Sequence, residues 1–144
     1  MTTLLPRLHL FAGWLTVVVF LMTGLHMKSI FPDAYTLQES VRYMYRANHV
    51  YILLAGLANV LLGSYLVMAA GGWRKVAGLT GSLLLLLAPV LLVIAFWHEP
   101  GSGAAERPLT MLGVFAMLLG TIAQALAAKA QDAPNSQASI DRMP

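Results

Sequence analysis

Four apolar runs, each close to the length of a membrane-crossing helix, occupy most of this 144-residue chain. A helix needs about 20 mostly apolar residues to cross a hydrocarbon core of roughly 30 Å. Residues 8–27, 50–70, 76–97 and 109–128 meet that requirement. Composition points the same way: 58% of residues are hydrophobic and only 10% charged, where soluble domains carry about 25% charged residues. The mean hydropathy is +0.72. The expected fold is all-α, a polytopic integral membrane protein with four transmembrane helices in an antiparallel up-down bundle. Expected helices cover about 7–28, 37–70, 75–98 and 108–129, so that 1–129 forms the bundle. A polar segment, 130–144, lacks the apolar content to pack and reads as a disordered tail.

The first run is longer than a signal-peptide core, starts with Arg7 and His9, and is not followed by a small-residue cleavage pattern. It is expected to persist as a helix. The absence of cysteine removes disulfides, thiolate metal sites and thiol redox chemistry. A net charge of +3 would suggest nucleic acid in a soluble chain, but here the cations sit singly near helix ends. Such residues anchor and orient helices, so no nucleic-acid partner is expected. The tight basic turn Gly71-Gly72-Trp73-Arg74-Lys75 marks a cytoplasmic loop under the positive-inside rule. Both termini then lie in the cytoplasm, and a bacterial inner membrane is the expected location. Lys28, Arg42, Arg46 and Arg107 fall on the opposite side and pull against this orientation.

The long first loop has its own signals. Pro32-Asp33 reads as a turn, and Thr36-Leu37-Gln38-Glu39 fits a capping box. The second helix is therefore expected to begin near Leu37 and to stand clear of the hydrocarbon, with Tyr35, Tyr43, Tyr45 and Tyr51 at headgroup level. Pro108 suits the first turn of the fourth helix, and Pro89 should kink the third.

In lipid, helices associate by close backbone approach at small residues. Gly56 and Gly63 are seven apart, as are Gly113 and Gly120; Gly78 and Gly81 are three apart, and Gly13 and Gly24 eleven. Each spacing returns to nearly the same helical face, which marks these glycines as packing positions. On the second helix Glu39, Arg42, Arg46, His49, Ile52, Gly56, Asn59 and Gly63 form one stripe. It should face the bundle, with Asn59 supplying an interhelical hydrogen bond.

Three histidines and a carboxylate, His26, His49, His98 and Glu99, fall at the same ends of three helices. Imidazoles and a carboxylate converging from separate helices are the donor set for Zn or Cu, and two imidazoles could ligate haem b while Arg42 and Arg46 hold its propionates or contact a partner. The competing reading is an interface where water and headgroups solvate the histidines. His9 has no histidine partner at its own level. No phosphate-binding Gly-x-x-x-x-Gly-Lys loop, Gly-x-Ser-x-Gly elbow or His-Glu-x-x-His pair is present, and no catalytic residue is assigned. All six acidic residues lie outside the expected spans, which disfavours ion-coupled transport. Three readings follow. The first is a non-catalytic accessory or assembly subunit of a membrane complex, with the bilayer and a protein partner or second copy as its surroundings. The alternative is a haem b or Cu/Zn electron-transfer or sensing protein with a site around His49, and the third is a small transporter.

Overall fold

Four helices account for the architecture: α1 (Leu4–Ile30), α2 (Glu39–Tyr65), α3 (Gly72–His98) and α4 (Pro108–Lys129). The computed structural model describes residues 4–30, 39–66, 71–100 and 106–129. Each helix is long and apolar enough to cross a membrane. The Pro32-Asp33 turn, the first three residues of the proposed capping box and the polar segment after 129 lie outside the described residues, so α2 is described from Glu39 onward.

The buried residues recur every three or four positions on each helix. On α1 they are His9, Gly13, Thr16, Thr23 and Met27; on α2, Asn48, Ile52, Ala55, Gly56, Asn59 and Gly63. On α3 the seam runs from Gly78 through Leu85 and Leu92 to Phe96. Alternating steps of three and four give the 3.5-residue period of a bundle seam. The outward faces carry large apolar groups, among them Phe11 at 69% exposure, Leu83 at 66% and Leu119 at 53%. Polar side chains are buried among apolar ones, and the outward faces are apolar where those of a soluble bundle would be polar.

Glycine sets the helix spacing. α1 packs on α2 and α3 on α4 as two tight pairs, which meet through α2 and α3. A Cβ placed on Gly13 would fall 2.9 Å from the Gly56 carbonyl oxygen, and one on Gly56 3.3 Å from that of Gly13. Gly81 and Gly120 stand in the same relation, 2.9 Å in both directions. Each pair therefore contains a glycine-on-glycine crossing, where backbones approach as no larger residue permits. Gly63 packs on Leu10 and Pro6, Gly113 on Leu92, and Gly24 on the His49 ring. Gly78 is looser, with Ala127 Cβ 3.7 Å from the place of its missing methyl. Gly72 has φ +65°, which suits a residue without a side chain at the entry to α3.

The apolar core, Met27, Ile52, Ala55, Leu92 and Phe96, lies toward the helix ends that carry His26, His49 and Glu99. Pro89 is buried within α3, and the helix runs unbroken through it from Gly72 to His98.

Candidate functional sites, an interhelical polar chain and a four-residue cluster

Pro89 has no backbone N–H, so the carbonyl four residues earlier, that of Leu85, loses its partner within the helix. Asn59 of α2 supplies one: its Nδ2 donates to Leu85 O at 2.7 Å and to Ala55 O at 2.9 Å. Both amide hydrogens are thereby spent on carbonyls, which fixes the amide's orientation and leaves Oδ1 as an acceptor. His9 Nδ1 lies 2.7 Å from that oxygen, so Nδ1 carries the proton and donates it. The chain Leu85 carbonyl, Asn59, His9 ties α3 to α2 to α1. His9 and Asn59 have no exposed surface, and His9 Nε2 has no hydrogen-bond partner among the described residues.

His49 obeys the same logic on the same helix pair. The Thr23 hydroxyl donates to Phe20 O at 2.8 Å, so its oxygen is left to accept from His49 Nδ1 at 2.9 Å. The ring stacks on Phe20 with centroids 4.0 Å apart. Histidine 26 turns elsewhere, against Trp97 at 4.6 Å and Phe96 at 6.2 Å. His98 is exposed and Glu99 buried, because successive helical residues diverge by about 100°. The four residues read as a ligand set are thus distributed over separate contacts. Among the described residues no three His, Asp or Glu side chains gather into a group that could hold a metal ion. Arg42 is half-buried and Arg46 exposed on α2.

Glu99 serves α4. Oε1 accepts from Leu109 N at 2.7 Å and Thr110 N at 3.1 Å, the first two amides available after Pro108. A carboxylate over a helix N-terminus satisfies orphan donors and complements the helix dipole. Oε2 bonds Thr110 Oγ1 and lies 3.8 Å from Arg107 Nε. Arg107 Nη2 donates to Asn48 Oδ1 and to Thr110 Oγ1, the latter at 3.2 Å, and Thr110 Oγ1 is 2.8 Å from Asn48 Oδ1. The threonine has one proton for two acceptors, so it serves Asn48 or Glu99 at any instant. Asn48, Glu99, Arg107 and Thr110 therefore form one cluster joining α2, the end of α3 and the start of α4. At the opposite end of α4, Arg74 Nη2 donates to Ala127 O at 3.3 Å, and between them Gln124 Nε2 donates to Gly78 O and Ser82 Oγ, both at 2.7 Å.

Sequence reasoning reached Asn59 through its stripe. It did not reach His9, Asn48, Arg107 or Thr110. One signal for the first was present in Pro89, whose orphaned carbonyl on α3 needs a donor from a neighbouring helix. Replacing Asn59 with Leu is expected to lower stability by about 2 kcal/mol, since it strands two buried groups, the Leu85 carbonyl and His9 Nδ1. Thermal unfolding in detergent measures this, and a loss no greater than that of Ser64→Ala, an exposed residue whose hydroxyl bonds Val60 O within α2, would remove the chain's structural role.

No protein-family model, curated protein or solved structure matches this chain.

Proposed function

We propose that the chain is a small integral protein of the bacterial cytoplasmic membrane, a non-catalytic accessory or assembly subunit of a membrane complex. Its four helices cross up and down, with both termini in the cytoplasm. The observation that carries this reading is where the buried polar groups go. The buried His9, Asn59, Asn48, Thr110 and Glu99 all bond across helices, as does the half-buried Gln124. In hydrocarbon such bonds hold helices together where the hydrophobic effect does not. Outward-facing leucines, phenylalanines and valines then face lipid or a partner's helices.

Purification in mild detergent tests the function. The expected protein is colourless and metal-free, co-purifies with a membrane partner, and loses that partner on Arg46→Ala while remaining folded. A Soret band with a reduced-minus-oxidised change, abolished by His49→Ala, would replace this reading with the haem one. Topology has a separate test, since the chain has no cysteine of its own. With single cysteines at Ser29, Ser102 and Ser136, a membrane-impermeant reagent on intact cells should label the first two and spare the third. Labelling at position 136 alone would invert the orientation.

A further inference from the structure

Arg107 lines two clefts at once. The larger, about 630 Å³, lies between α2 and α4; Tyr51, Glu106, Arg107, Met111, Val114 and Phe115 are among its walls. The second, about 510 Å³, is bounded by Arg107 and by Glu39, Ser40, Tyr43 and Met44 of α2. Both are grooves open to the surface. The larger is amphipathic along its length. Its charged residues, Glu106 and Arg107, precede α4, and Met111, Val114 and Phe115 continue from them on one helical face for about 12 Å at 1.5 Å per residue.

The charges at the mouth are of both signs. Arg107 spends Nη2 on Asn48 and Thr110, its buried Nε faces Glu99 Oε2 at 3.8 Å, and 19% of its side chain stays exposed where it lines the two clefts. Glu106 follows it into the larger cleft and Glu39 into the smaller. A purely anionic ligand would have to share the guanidinium with Glu99 and would be repelled by Glu106 and Glu39. A ligand with a phosphate and an ammonium two carbons apart gains at both signs. We propose that this cleft holds a zwitterionic phospholipid with a primary amine headgroup. Arg107 takes the phosphate, Glu106 takes the ammonium, and an acyl chain lies along Met111, Val114 and Phe115. A primary ammonium donates three hydrogen bonds to carboxylates, whereas a quaternary choline donates none. The site therefore distinguishes phosphatidylethanolamine from phosphatidylcholine.

The inference rests on the membrane reading given above, and the experiment separates the two. Membranes containing the protein are first washed with alkaline carbonate, and the retained protein is purified from mixed micelles of phosphatidylethanolamine, phosphatidylcholine and phosphatidylglycerol. Bound lipid is then counted by native mass spectrometry. Phosphatidylethanolamine is expected at about one per chain and about tenfold over the other two, the ratio that one interaction of about 1.4 kcal/mol produces. Glu106→Gln, at an exposed position, should bring phosphatidylethanolamine down to the level of phosphatidylcholine. Met111→Trp, at a residue 57% exposed, should empty the cleft without disturbing the core. Equal retention of the three lipids, a preference that survives Glu106→Gln, or lipid undiminished by Met111→Trp would each overturn the site while leaving the membrane reading intact. Release of the protein by carbonate would overturn both.

Discussion

Alanine at Gly13 or Gly63 is expected to cost about 3 kcal/mol, the upper end of what overpacking a filled site does. The added methyl would fall 2.6 Å from Val60 N in the first case and 2.6 Å from Leu10 N in the second. Those neighbours are backbone atoms, so neither can rotate away, and α1 must separate from α2 along its length. The contrast is Gly78→Ala, whose methyl would meet nothing nearer than 3.7 Å. There the gain of about 1 kcal/mol in helix propensity should emerge as a small stabilisation. Thermal unfolding of the three variants in one detergent provides the comparison. Equal melting temperatures would mean that the α1–α2 crossing is looser than its glycines indicate.

Glu99→Ala should have an effect of similar size, about 3 kcal/mol, by a different route. Removing one partner of a buried pair leaves the other charge stranded, and Arg107 and Glu99 have side chains only 19% and 6% exposed. The same substitution uncaps the Leu109 and Thr110 amides. Glu99→Gln keeps an oxygen for those amides and loses only the charge, so it should fall between alanine and the native residue. Glu106→Ala, one residue before Arg107 but exposed, is the control. If Glu99→Ala melts with Glu106→Ala, the cluster contributes no stability.

Helix number and approximate position could be read from the chain because a run of about 20 apolar residues admits few other folds. Helix faces could be read from the glycine intervals, since a packing position recurs on one side of a helix whichever neighbour it meets. Partner choice could not be read so directly. His9 finds Asn59 fifty residues away, and that pairing depends on how far α1 is shifted along α2, a quantity no local pattern encodes. His98 and Glu99, adjacent in sequence, part at the end of α3, the first exposed and the second buried. Glu99 stands beside a histidine in the sequence, which says nothing of the amides it caps. That contact follows from the free amides after Pro108, ten residues further along the chain.

One helix holds both ends of another. Arg74, early in α3, grips the last turn of α4 through the Ala127 carbonyl, and Glu99, just past the end of α3, grips its first turn. The stretch from Leu109 to Ala127, about 27 Å at 1.5 Å per residue, is clamped like a rod between two jaws. A slide of one turn would release both jaws together, so α4 can neither ratchet along α3 nor tilt independently of it. Single helices meet a bilayer of unsuitable thickness by tilting. A clamped pair can use that response only as one body, so in a bilayer of unsuitable thickness α3 and α4 would tilt together by the same angle.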